Sequence, residues 1–280
     1  MSRLKLRLAD SHSQVELIAL VDAEGAFFQP RSAVFLTPTD EEWQAADALD
    51  PDAVRDDDWW MHFRCFALRF DDGRVVLFDL GVGPSSAPSK SWAPVPGRLP
   101  DELASAHLSP ESVTTVVLSH MHTDHIGWTT DGMSPSPLFA NARYLLQQTE
   151  IELIDQRIPA VRSWLLDPLR ASGQLEAVNG DKLLQAGVRI VATPGHTPGH
   201  QSLVLDSDSS QVLLTGDLFA GMVQLVNPRV TYLHDMDQDQ ARETRVATMR
   251  ELGQYPGALL ASAHLGYPFV HLDTLAPVDS

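Results

Sequence analysis

The stretch TTVVLSHMHTDH, residues 114–125, decides the reading of this chain. Its first half is β-branched and apolar, too short for an independent helix, and reads as a buried strand. Its second half sets His120, His122, Asp124 and His125 within six residues. A strand that ends at His120 and then turns can present His120 and His122 to one metal ion. Asp124 and His125, on the following turn, can face a second. Imidazole nitrogen and carboxylate oxygen are the donors that zinc accepts in catalytic sites, where one position stays open for water. A core histidine would stand alone, and a surface histidine cluster would not follow VVLS so directly.

Working outward, four more runs read as buried strands: RVVLFDLG from Arg74, VRIVATPGH from Val188, QVLLTGD from Gln211 and ALLASAH from Ala258. Helical patterns are expected between them, near 40–49, 100–106, 149–158, 161–169 and 237–252. Strands interleaved with helices indicate α/β layers. The segments 83–100 and 131–139, rich in Pro, Ser and Gly, read as loops. Neither divides the chain into halves that could each bury a core, so one domain over 1–280 is expected, with residues 1–60 as an N-terminal extension serving as a lid or a dimer contact. Trp59 and Trp60 are the residues singled out there, with ordinary packing as the reading favoured for them over a lid or subunit contact. Cys65 sits in the alternating run HFRCFALRF and reads as a buried, inert thiol.

Four of the strands end in His or Asp: His120, His196, Asp217 and His264. Ligand sites in α/β sheets gather at the carboxyl ends of strands, so these termini point to a single site. Asp217 reads as a bridging carboxylate, one oxygen of which can hold two cations at the separation of a two-metal centre, ~3.5–4 Å. The expected division is His120, His122, His196 and Asp217 around one ion, with Asp124, His125, His264 and Asp217 around the other. His200 is expected to support the turn rather than to ligate.

The set HMHTDH (120–125), TPGHTPGH (193–200), TGD (215–217) and SAH (262–264) resembles the metallo-β-lactamase superfamily, over roughly 75 to the C-terminus. The resemblance implies a four-layer αβ/βα sandwich, two mixed sheets flanked by helices, with a dinuclear zinc site at one edge. FDLGVG (78–83) fits the early strand and turn of that family, which implies a supporting place for Asp79. An aspartate at 217 departs from true zinc β-lactamases. TPGHTPGHQSLVL is similar to the N-acyl-homoserine lactonases, and the stretch 216–245 with AHLGYPFVHL (263–272) is similar to the methyl parathion hydrolase branch. Some lactonases carry a tyrosine three residues after the bridging aspartate. Here that residue is Ala220, so such assistance is expected either from Tyr267 or from the metals alone.

The function expected on these grounds is hydrolysis of a lactone or neutral ester by hydroxide held between two zinc ions, with Asp124 and Asp217 as the catalytic carboxylates and Asp124 moving the proton. A phosphotriesterase or thioesterase on the same site is the alternative. Mn, Fe or Co would suit the same donors. The expected substrate wall follows the ligands in sequence: Trp128, Phe219, Met222, Val223, His234, Tyr267 and Phe269. The resemblance also implies a homodimer.

Charge narrows the partners. In 280 residues, 37 acidic against 20 basic side chains leave a formal charge of −17. Such a field repels nucleic acid and anionic lipid. No apolar run reaches the ~18 residues of a membrane span. The first twenty residues carry no apolar signal core, so a cytoplasmic protein is expected. A single cysteine excludes an intramolecular disulfide.

Overall fold

The computed structural model describes residues 1–9, 13–208 and 210–275. Strands β1 (Arg3–Arg7), β2 (Gln14–Ala26), β3 (Val54–Arg55), β4 (Asp58–Phe70), β5 (Val75–Phe78), β6 (Val113–Val117), β7 (Arg143–Gln147) and β8 (Leu175–Val178) form one sheet. Strands β9 (Lys182–Gln185), β10 (Val188–Ala192), β11 (Gln201–Asp206), β12 (Gln211–Leu214), β13 (Leu259–Ala261) and β14 (Phe269–His271) form the other. The first runs in the order β1-β2-β4-β5-β6-β7-β8, the second β14-β13-β12-β11-β10-β9. Both are mixed: β5 through β8 pair in parallel and β12 pairs in parallel with β13, while the other neighbours are antiparallel.

Side-chain alternation explains the layering. In β2, Leu17 and Ala19 face the second sheet and Ile18 and Leu20 face helices. In β12, Val212 and Leu214 point into the space between the sheets while Leu213 points to the opposite helix layer. Strands covered on both faces read as continuous apolar runs, which is why they stand out in the sequence. On the outer face of the first sheet lie the helices Leu99–Ser105 and Gln148–Arg157, through Leu99, Leu103, Ile151 and Ile154. On the outer face of the second lies Gln238–Leu252, through Met249 and Leu252. The result is the four-layer helix–sheet–sheet–helix sandwich.

The described residues before position 61 are woven into this frame. β2 pairs with β4 from Val15↔Phe70 to Ala26↔Trp60, and Trp59 is buried against Phe27, Phe35 and Tyr232. Cys65 is free and buried in β4. Among the described residues no helix is long and apolar enough to cross a membrane.

Candidate metal centre

Just beyond the carboxyl ends of β6, β10, β12 and β13 the chain delivers His120 to His125, His196, Asp217 and His264. Two groups of donor atoms result: His120, His122, His196 and Asp217 in one, Asp124, His125 and His264 in the other, each with its ligand atoms within 4.8 Å of one another. Asp217 joins them. Its Oδ2 lies 3.3 Å from His196 Nε2 and 3.9 Å from His120 Nε2. Its Oδ1 lies 3.0 Å from His125 Nε2 and 2.9 Å from His264 Nε2. Each oxygen thus faces its own group, rather than a single oxygen serving both. Asp124 Oδ2 completes the second group, 3.3 Å from His125 Nε2 and 3.6 Å from His264 Nε2.

The donors fit a cation better than they fit each other. Nε2 of His120, His125 and His264 and Oδ1 of Asp217 are buried without a properly directed hydrogen bond. Buried polar atoms are rarely left so, and an ion is one of the few things that satisfies them together. The opposite ring nitrogens are occupied. His120 Nδ1 is 2.9 Å from Ser119 Oγ, His125 Nδ1 is 2.8 Å from Asp79 Oδ2, His196 Nδ1 is 3.1 Å from Asp235 Oδ1, and His264 Nδ1 donates to the carbonyl of His62 at 2.8 Å. Each of these contacts leaves the Nε2 lone pair aimed inward. His122 is reversed: its Nδ1 faces His196 Nε2 at 2.9 Å.

Asp79 and His200 both support the ligands. Asp79, at φ 63°, accepts from the Ser119 backbone and hydroxyl as well as facing His125. His200 Nε2 accepts from the Asp217 backbone N–H at 3.0 Å, and its Nδ1 is 3.1 Å from the Thr193 carbonyl. Burial and the neighbouring His196 depress the His200 pKa to about 3, so the ring is neutral. Burial and His196 likewise hold His122 at about 3. For His125, burial acts downward, but Asp124, Asp217 and Asp79 outweigh it and raise the pKa well above its ordinary value. For Asp217, burial acts upward, but His264 and His125 outweigh it and hold the carboxylate well below its ordinary range. An ion held by the second group would compete with protonation of its imidazoles.

The site forms the floor of a cavity of about 320 Å³. Its walls include Phe27, Phe28, Met61, Trp92, Ile158, Val161 and Tyr232, with His234 at the side. Among the described residues, no lysine or arginine lines it. Of the seven residues expected from sequence as substrate wall, His234 is the one found there. Trp128 is packed in the core, its indole donating to Asp22 Oδ1 at 2.8 Å. Phe219, Met222 and Val223 are buried, because the chain after Asp217 turns into the short helix Met222–Val226, which packs on Asp40–Leu49. Phe269 follows β13 back through an antiparallel turn and meets Phe66. Tyr267 is 48% exposed on that turn. Tyr232, not Tyr267, is the tyrosine at the site, its ring stacked 6.2 Å from His196.

With the geometry in hand, the chain can be set beside known proteins. The sequence model described as "Metallo-beta-lactamase superfamily" matches residues 64–264. The N-acyl homoserine lactonase of Bacillus cereus is 33% identical over 109 residues, 39% of this chain and 39% of that protein. The probable metallo-hydrolase YybB of Bacillus subtilis (strain 168) is 26% identical over 135 residues, 48% of this chain and 58% of that protein. These matches span about two fifths and three fifths of the relatives' own lengths. Among solved structures, the hydrolase AbOPH of the beta lactamase superfamily superimposes with a TM-score of 0.78 at 22% identity, covering 98% of this chain and 94% of its own. AidC, a dizinc quorum-quenching lactonase, superimposes at 0.75 with 20% identity, covering 100% and 99%. At those identities the structural likeness establishes the fold.

Proposed function

The chain belongs to the metallo-beta-lactamase superfamily, and from that premise we propose that it is a metal-dependent hydrolase that opens N-acyl-homoserine-type lactones at a site holding two zinc ions. The observation that carries the reading is the pair of donor groups sharing Asp217 on the floor of an apolar cavity without a cationic side chain. An uncharged substrate with an apolar arm suits those walls, and the lactonases among the relatives support the choice.

Divalent ions held by these donors supply Lewis acidity toward the carbonyl oxygen and lower the pKa of water toward neutrality. The protein's own contribution is placement and proton handling. Asp124 lines the cavity beside the ligand cluster. Its carboxyl is drawn down by His125 and His264 against the upward effect of burial, so it is an ionised acceptor. It takes the proton released as a water oxygen adds to the carbonyl carbon. It returns that proton to the ring oxygen when the C–O bond breaks, leaving a hydroxy acid. Tyr232, whose phenol burial and Asp217 push well above its usual pKa, stays protonated and donates to the developing oxyanion. Phe27, Phe28, Trp92, Ile158 and Val161 hold the acyl arm and exclude water.

The test is Asp124→Asn on zinc-loaded protein. The expected outcome is a kcat lower by about 10²–10⁴-fold, with KM nearly unchanged and metal content retained. Loss of zinc in step with activity would overturn the proton-carrying role.

A further inference from the structure

Behind His196 lies a buried ion pair that the reaction itself does not use. His196 Nδ1 is 3.1 Å from Asp235 Oδ1, and Asp235 Oδ2 accepts from Arg245 Nη1 at 2.9 Å. Arg245 is fully buried in the helix Gln238–Leu252. Its remaining arms donate to the carbonyls of Pro228 at 3.2 Å and Val230 at 2.9 Å. All three nitrogens of the guanidinium are thus committed, and the segment between Pro228 and Asp235 is pinned to the helix.

The polarity of this chain of contacts runs one way. A guanidinium can only donate, so Asp235 is fixed as an acceptor on the side facing His196. His196 must then donate through Nδ1, which leaves Nε2 an acceptor, 2.9 Å from His122 Nδ1 and 3.3 Å from Asp217 Oδ2. The other ligands are backed differently: His120 by the Ser119 hydroxyl, His125 by Asp79, and His264 by a main-chain carbonyl. Among the described residues, His196 is the one ligand backed by a carboxylate–arginine pair.

We propose that Arg245 is a positioning residue for one half of the metal centre, acting through Asp235 on His196, so that the affinity of the His120–His122–His196 group is set from the helix Gln238–Leu252 independently of the other group. The proposal rests on reading the cluster as a metal site, and its readout involves no substrate.

The experiment is zinc affinity by competition with a chromophoric chelator, in two backgrounds. His264→Ala leaves the first group whole, and His196→Ala leaves the second. In the His264→Ala background, Asp235→Asn and Arg245→Lys are each expected to weaken zinc by about 10- to 100-fold. In the His196→Ala background the same changes are expected to leave affinity unaltered. Asp235→Asn alters no volume, and its far-UV circular dichroism and melting curve identify a folded protein. Should Arg245→Lys fail to fold, Asp235→Asn alone decides. Unchanged affinity of the first group, or equal weakening of both, overturns the proposal. Wild-type protein that binds no zinc overturns the metal-site reading beneath it, whereas lactone turnover bears on neither.

Discussion

Asp217 faces two sets of histidines through two different oxygens, and in the proposed reaction the residues around it divide into ion ligands and substrate contacts. Tyr232, in the cavity wall with its ring against His196, is proposed for the second role. Tyr232→Phe removes one donor to the developing oxyanion, and kcat is expected to fall about 10²-fold with KM little changed. Steady-state kinetics on a neutral lactone check this, and an unchanged kcat would remove Tyr232 from the reaction. His200 makes a second prediction. Its folded pKa of about 3 lies below the unfolded value of about 6.5. The unfolded chain therefore binds the proton first, and the stabilisation present above pH 6.5 is lost progressively as pH falls toward 3. Imidazole NMR on metal-free protein should find His200 neutral at pH 5, carrying its proton on Nδ1. A charged ring at that pH would contradict the hydrogen bond from the Asp217 backbone.

The ligand loops are held by elements as much as by side chains. Glu150, in the helix Gln148–Arg157, accepts from the backbone of Met121 at 3.1 Å and of Gly199 at 2.8 Å, tying two ligand-bearing loops together. Gly195, at φ 133°, lets the His196 loop lie against the helix Gln238–Leu252; a Cβ there would stand 2.3 Å from Ala241 Cα. Gly195→Ala is expected to destabilise the fold by about 2–4 kcal/mol, and zinc affinity should fall with it. A urea midpoint equal to wild type would show that the loop can shift without cost. Three of the strands that lead to ligands, β6, β12 and β13, were legible in the sequence because burial on both faces makes their apolar runs nearly continuous, whereas β10 alternates and was legible from the TPGH that follows it. The helical patterns near 40–49 and 237–252 were legible too, and the two helices start at Asp40 and Gln238, where the Thr39 and Asp237 side chains accept from the backbone N–H of Glu42 and Gln240. The cavity wall was not. Trp92 sits in a Pro/Ser-rich loop, turned inward by a hydrogen bond to Thr123 at 3.0 Å, and Phe27 follows a long strand whose end pairs with the distant β4. Sequence distance from the ligands says nothing about such residues, because the sheet pairing that brings them in is non-local. Asp235 and Arg245 were hidden for the same reason: an exposed acidic helix start and a buried ion pair are written with the same letters.

For the whole molecule, the formal charge of −17 and a cavity without lysine or arginine act together. Both disfavour anionic substrates, and a neutral lactone feels little of the long-range field. Its kcat/KM is expected to change less than about 2-fold between low and physiological salt, where the Debye length falls to ~8 Å. An anionic thioester should instead bind better as salt screens the repulsion. Rates measured across a salt series test both, and a steep fall for the neutral lactone would point to a cationic subsite absent from the described cavity. The most direct measurement is pH-stat hydrolysis of an N-acyl-homoserine lactone by protein of determined zinc content, beside Asp217→Asn. Metal-dependent acid release by protein carrying two ions per chain, lost in Asp217→Asn, is the predicted result. A protein that carries both ions and releases no acid would contradict the account.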